Sequence, residues 1–183
     1  MIRLFTAIDL PAEARERVSG LCCGLPGAKW VDEEQIHLTL RFIGEVDGAL
    51  FREINEALAL VRSAPFTLEL KGLGTFPPRK QPRVLWVGVE KNEALVRLRN
   101  RVETTLVGCG LAPEGRKFAP HITLARLRDP PLVRLTNFLA GNNLFGCEPF
   151  GVEEFHLYSS VLTPKGAIHQ LEASYPLVGG LEV

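Results

Sequence analysis

Apolar and polar positions alternate in several short runs along this chain, and between those runs the apolar positions recur every three or four residues. Residues 2–9, with Leu4, Phe5 and Ile8, read as a first strand. Pro11 then opens a helical pattern from Ala12 to Leu25, with Gly27 beyond its end. The run Ile36-His37-Leu38-Thr39-Leu40-Arg41-Phe42-Ile43 alternates and stops at Gly44, which predicts a strand. Asp47 to Arg62 places Leu50, Phe51, Ile54, Leu58 and Val61 at helical spacing, with Asp47 as the cap. Strands are predicted at Phe66–Leu70 and Arg83–Val89, with a Pro/Gly-rich loop from Gly72 to Pro82 between them. A second amphipathic helix runs from Glu93 to Val107 and closes at Gly108 and Gly110.

The second half repeats the theme. A loop ending Phe118-Ala119-Pro120 leads into the strand His121-Ile122-Thr123-Leu124-Ala125, and a short helix begins near Pro131. Late strands are expected at Val152–Ser159 and Ala167–Pro176. The two His-apolar-Thr-Leu segments lie 84 residues apart, close to half the chain, and each precedes a candidate helix and further strands. That pattern predicts an internal duplication and a two-lobed α+β protein built on antiparallel sheets.

Composition narrows the function. With 183 residues, the chain suits one domain or two small lobes sharing a core. Lys+Arg and Asp+Glu both number 21, so the net charge is zero, which argues against a general nucleic-acid coat but leaves room for a local basic cleft. No apolar run approaches the roughly 20 residues of a membrane helix. The apolar start is short and carries Asp9, unlike a signal peptide, so the expected location is cytoplasmic, with no membrane contact. Cys22, Cys23, Cys109 and Cys147 form no C-x-x-C and read as buried or inert thiols in a reducing compartment.

The candidate chemistry lies in the doubled tetrapeptide. Residues two apart on a strand share a face, so His37 projects with Thr39, and His121 with Thr123, while the leucines anchor the strand from behind. A lone strand histidine is usually structural, and that is the reading for His156 and His169, which lack the motif. Two imidazoles facing one space, one neutral and one protonated, suit in-line displacement at phosphorus. One activates water, the other protonates the departing oxygen, and the threonine hydroxyls bond the oxygens where charge builds. The scheme calls for no metal and no cofactor. Zinc-ligand clusters, H-E-x-x-H, a P-loop, a dinucleotide fingerprint and G-x-S-x-G are all missing from the sequence.

These residues resemble the RNA 2′,3′-cyclic phosphodiesterases of the 2H phosphoesterase superfamily, formerly called 2′-5′ RNA ligases. The likeness runs through Arg3-Leu4-Phe5-Thr6-Ala7-Ile8-Asp9, Trp30-Val31, His37 to Gly44, and Gly72-Leu73-Gly74-Thr75-Phe76-Pro77. It continues in Arg83 to Gly88, Phe118 to Arg126, and Leu157-Tyr158-Ser159-Ser160 with Pro164 and Gly166. The resemblance implies a single domain over 1–183 made of two pseudo-symmetric lobes, with helices packed outside the sheets and a central cleft. It implies hydrolysis of terminal 2′,3′-cyclic phosphates to 2′-phosphates, with His37 as acid on the 3′ oxygen and His121 as base; the near-identical motifs alone leave those roles interchangeable. It also suggests that Phe42 stacks on the terminal base and Arg126 contacts phosphate.

Strict alternation, however, puts Phe42 and Arg126 on the face opposite the histidines, so they reach the cleft only if the strand ends, twists or bulges. Core packing and base stacking both stay open for Phe42. Arg41 shares the His37 face and is a further candidate. Arg79, Lys80 and Arg83, Arg116 and Lys117, and Arg126 and Arg128 form either a solvated surface or a phosphate-guiding rim. The expected partners are RNA ends bearing cyclic phosphate, tRNA fragments among them, or cyclic nucleotides, met by a monomer. The rival functions are 2′-5′ ligation by the reverse reaction, hydrolysis of a small cyclic nucleotide or a 2′-5′ oligonucleotide, and non-catalytic RNA-end binding.

Overall fold

The computed structural model describes residues 1–179. In chain order the elements are β1 (Ile2–Asp9), α1 (Ala12–Ser19), β2 (Ala28–Trp30), a 3-10 turn (Glu33–Gln35), β3 (His37–Val46), α2 (Gly48–Leu58), β4 (Phe66–Leu68) and β5 (Leu70–Phe76). They continue with β6 (Val84–Val89), α3 (Glu93–Gly108), β7 (His121–Leu127), α4 (Leu132–Asn142), β8 (Phe150–Val152), β9 (Glu154–Thr163) and β10 (Gly166–Pro176). The strands make two four-stranded antiparallel sheets, ordered β10-β9-β1-β3 and β2-β7-β6-β5, and a small β4-β8 pair. This is the two-lobed α+β fold that the patterning predicts.

The repeat and the lobes do not coincide. The central pairs are β1 with β3, both from the first half of the chain, and β6 with β7, which joins a strand near the chain's middle to one from the second half. Each pair takes further strands from elsewhere in the chain. β9 and β10 cross to β1, while β2 and β5 cross to β7 and β6. The helices cross too. α3 follows β6 yet packs on β3, and Arg17 of α1, which follows β1, donates to the Gly146 carbonyl at 2.8 Å beside the start of β5. β4 and β8, equivalent in the two halves, pair with each other.

Behind each sheet lies apolar packing. Leu4, Ile8, Leu38, Phe155 and Leu157 meet Ile54, Leu58, Leu95, Leu98, Val102 and Leu106 of α2 and α3 in one continuous buried cluster. Leu85, Val87, Ile122 and Leu124 belong to the same cluster, and Trp30 packs on Phe138 of α4 at 5.9 Å between rings. Burial of this much apolar surface is the main force for folding. Asp47 caps α2 as expected, accepting from the Leu50 N–H at 2.8 Å.

Three expectations about boundaries are corrected. The first helix ends at Ser19 rather than Leu25, because the chain turns at Gly20 and adopts a left-handed conformation at Gly24. The second ends at Leu58 rather than Arg62. The predicted Gly72–Pro82 loop is strand as far as Phe76; its glycine at 74 lies under the Trp86 ring, where an added Cβ would fall 2.2 Å from ring carbon. A glycine inside a strand marks such a close approach, not only a loop. No helix among the described residues is long and apolar enough to cross a membrane.

Candidate active site

β3 and β7, the two motif strands, adjoin each other where the lobes meet. On each, the histidine and threonine are half-buried and the residues between and after them are buried, the one-sided pattern that alternation predicts. Both strands then break alternation at the same place. Ala7 pairs with Thr39 but Thr6 pairs with Arg41, leaving Leu40 unpaired; Trp86 pairs with Thr123 but Leu85 pairs with Ala125, leaving Leu124 unpaired. Each motif thus ends in a β-bulge, with one extra residue opposite a gap in the partner strand.

The bulge exchanges the faces of the residues that directly follow it. Phe42 turns onto the His37 face, where it is 66% exposed and lies 5.9 Å from the Phe5 ring. Arg126 turns onto the His121 face and is exposed. Arg41, expected on the His37 face as an RNA-binding candidate, turns inward instead and is only 8% exposed. Its Nε meets Glu103 Oε2 at 2.6 Å, one terminal nitrogen donates to the Ala112 carbonyl at 2.6 Å, and the other to the Phe42 carbonyl. Arg41 is therefore a structural residue that ties β3 to α3. Burial pushes the Glu103 carboxyl up. The bond from Arg41, the Glu114 N–H and the Arg41 and Arg99 charges outweigh that and hold it below the usual range.

The two histidines have different surroundings. His121 directs Nδ1 at the Ala119 carbonyl, 2.8 Å away. A carbonyl only accepts, so Nδ1 carries a proton, and in the neutral ring Nε2 is the nitrogen with the free lone pair. The Phe76 ring meets His121 edge-on at 4.9 Å and packs on Trp86 at 5.2 Å. His37 instead stacks on Tyr158 at 5.1 Å and on Phe5 at 5.5 Å, and its Nε2 lies 3.0 Å from Nδ1 of His169. Burial, followed by the nearby His169, pushes the His37 pKa down to about 4; Asp9 works in the opposite direction and His156 in the same one. The unliganded ring is therefore neutral at pH 7.

His169 corrects the sequence expectation, since it sits in the site without a motif of its own. It lies on β10, more than a hundred residues from His37, and only the pairing of β10 with β9 and of β9 with β1 brings them together. Asp9 and Tyr158 also belong to this cluster: the Tyr158 hydroxyl donates to Asp9 Oδ1 at 2.6 Å, and burial followed by that bond raises the phenol's pKa. His156 keeps its structural reading. It is buried, 3.3 Å from Asp9 and 2.8 Å from the Ser174 hydroxyl.

The basic segments separate into two groups. Arg83 follows directly into β6 beside β7: its carbonyl accepts from Leu127 N–H, and its neighbour Val84 pairs with Arg126. Arg83, Arg126 and Arg128 are thus exposed close together beyond the second motif. Arg79 and Lys80 line an open recess with Gln81, Pro82 and Asp129 at the tip of the preceding loop. All four cysteines are free; burial and then Cys23 push the Cys22 thiol up to about 11, whereas Cys23 itself is exposed, against expectation. Among the described residues no three His, Cys, Asp or Glu side chains are grouped to hold a metal ion.

Comparison with known proteins agrees with this geometry. The family described as LigT like Phosphoesterase matches twice in tandem, over residues 8–86 and 87–169. A protein of Aeropyrum pernix named RNA 2′,3′-cyclic phosphodiesterase is 41% identical, covering 86% of this chain and 90% of its own length. One of the same name from Thermotoga maritima is 38% identical and covers 98% of both chains. Among solved structures, a Thermus thermophilus protein superposes with a TM-score of 0.79 at 31% identity, covering 97% of this chain and 98% of its own. E. coli LigT complexed with 3′-AMP does so with a TM-score of 0.76 at 28% identity, covering 96% and 98%. The duplicated half-site is thus matched both by the doubled family signature and by relatives aligned over nearly their whole length, and the chain belongs to the LigT-like phosphoesterase family.

Proposed function

We propose that this protein hydrolyses RNA-terminal 2′,3′-cyclic phosphate to a 2′-phosphomonoester by acid–base catalysis between His37 and His121, with no step through a metal ion. The observation that carries this reading is the repetition of one half-site, histidine, threonine and bulge, on two adjoining strands. The names of the relatives supply the substrate class.

His121 suits the base. With its proton held on Nδ1 by the Ala119 carbonyl, Nε2 is ready to take one from water. His37 suits the acid once substrate is bound, because the negative phosphate favours a proton on a ring that is neutral without it. Thr39 and Thr123 donate to the non-bridging oxygens, Arg126 adds charge, and Phe42 offers an exposed ring to the terminal base. Arg79, Lys80 and Arg83 guide the phosphate backbone toward the site. The two lobes act as one domain and the monomer is the working unit, since both motifs lie on one chain.

The test is phosphorus NMR of RNA ending in a 2′,3′-cyclic phosphate, incubated with the protein and excess chelator. A 2′-phosphate product is expected. A 3′-phosphate reverses the leaving-group assignment, and no turnover by the intact protein, or retained turnover in both His37→Ala and His121→Ala, overturns the proposal. Hydrolysis of a small cyclic nucleotide is the second reading, supported by the 3′-AMP complex of the E. coli relative. Faster turnover of the free nucleotide than of the RNA end would favour it.

A further inference from the structure

The two half-sites are equivalent in strand, register and bulge, but they differ at the imidazole. The side-chain bond of His121 is local, to a carbonyl two residues upstream, whereas that of His37 is to another histidine 132 positions away. An imidazole Nδ1 at 3.0 Å occupies the place at His37 Nε2 where an oxygen of a bound phosphate ester would sit. Two neutral rings at that distance must share one hydrogen between the facing nitrogens, one donating and the other accepting.

We propose that His169 is a third histidine of the phosphate site, whose Nδ1–H caps His37 Nε2 in the unliganded protein and turns to a non-bridging phosphate oxygen when substrate binds. This rests on the two-histidine reading above and adds a substrate contact to it. In the resting state His37 carries its proton on Nδ1, the same tautomer as His121, and accepts at Nε2 from His169. The anion draws one proton from solvent onto His37 Nε2. The N···N contact then opens, because both nitrogens bear hydrogen and both face the phosphate. As water attacks phosphorus, His121 Nε2 takes its proton. As the bond from phosphorus to the 3′ oxygen breaks, His37 Nε2 gives its proton to that oxygen. His37 is again the Nδ1–H tautomer and His169 re-forms the cap; His121 returns its proton to solvent. One proton is taken up and one released per turnover, and His169 keeps its own throughout.

The surroundings fit this role. His169 is half-buried on the edge strand β10, its ring edge-on to Phe5 at 4.8 Å, and burial favours its neutral form. A donor held against the His37 lone pair favours neutral His37, in the direction that burial already pushes it. The other titratable groups near His37 are Asp9 on β1 and Tyr158 and His156 on β9. Asp9 favours a proton on His37, and Tyr158 and His156 are each tied to Asp9.

Two variants test it. His169→Phe keeps a ring but removes the donor, whereas His169→Asn places an amide near the Nδ1 position. The Phe variant is expected to raise KM for the cyclic-phosphate RNA about 10-fold or more, the loss of one hydrogen bond to a charged group. It should also move the acid limb of kcat/KM upward, and Asn should restore KM to within about 3-fold of the intact protein. A purely structural role would leave that limb in place. Nitrogen-15 spectra of the unliganded protein should put the His37 proton on Nδ1, and inorganic phosphate should add the second proton in the intact protein at a lower phosphate concentration than in the Phe variant. A proton on His37 Nε2 in the free protein, or identical KM, pH limb and phosphate response in the Phe variant, overturns the proposal. The spectra need no turnover, so they decide it even where the intact protein fails to hydrolyse the RNA. If the Phe variant does not fold, they are read with Asn alone, which must behave as the intact protein does.

Discussion

Replacing Arg41 with methionine distinguishes a residue that binds RNA from one that holds the fold. The intact side chain bonds Glu103 at 2.6 Å and the Ala112 and Phe42 carbonyls, and removing it leaves the Glu103 carboxylate with only the Glu114 N–H at 2.9 Å. Breaking a buried ion pair costs about 3–5 kcal/mol, mostly for the charge left behind. The Glu103 side chain keeps 15% of its area exposed and lies just beneath the surface. Water can reach it, so the lower end applies, about 3 kcal/mol. For a chain of this size that lowers Tm by roughly 6–12 °C. Glu103→Leu added to Arg41→Met removes both partners and should recover much of the loss. The pH dependence has a definite sign. A carboxyl held below its usual value stabilises the fold above the unfolded-state pKa, and that stability fades as pH falls through the folded value. The Arg41→Met variant should lose this acid-side decline. Thermal unfolding by circular dichroism at several pH values, with RNA binding by fluorescence anisotropy alongside, measures both. An unchanged Tm with RNA affinity lost would refute the assignment and return Arg41 to the cleft.

Phe42→Ala should leave stability within about 0.5 kcal/mol, because the ring is exposed, yet weaken RNA-end binding by roughly 5- to 150-fold through lost stacking; equal affinity would place the base elsewhere. Gly74→Ala drives a methyl into the Trp86 ring and should cost about 1–3 kcal/mol, with a change in tryptophan fluorescence and reduced turnover because Trp86 supports Phe76 against His121. Unaltered melting and fluorescence would contradict that packing. The profile of kcat/KM against pH should be bell-shaped with its acid limb near 4, where His37 titrates in the free protein, and an acid limb near 6.5 instead would show that His37 is not desolvated as described.

Much of this site was legible in the residues themselves. Alternation around Leu38 and Ile122 located both strands and placed each histidine with its threonine, because one face of each strand must meet the core. The same rule failed two residues later. A bulge leaves no mark when the extra residue is a leucine that is buried on either face, and both Leu40 and Leu124 are nearly inaccessible. Arg41 was misplaced for that reason and because its partner lies 62 positions away. Gly72 and Gly74 looked like a loop because glycine weakens a strand; the counter-signal was Trp86, which needs an empty place beneath its ring. His169 carried no local pattern at all, since its place depends on a long hairpin folding back over β1.

The paired bulges have a bearing on how two copies of one strand came to differ. Up to the threonine, both strands keep a common frame, with the histidine and threonine on one face and the apolar residue between them in the core. Past the unpaired leucine, the frame slips by one, and the outward position stands apart from the histidine–threonine pair and from the core. One strand fills that position with an aromatic ring and the other with a guanidinium. A single kink thus lets a duplicated segment keep one histidine–threonine pair while each copy varies the side chain beyond it, which under the proposed function would meet a flat base on one strand and a charge on the other.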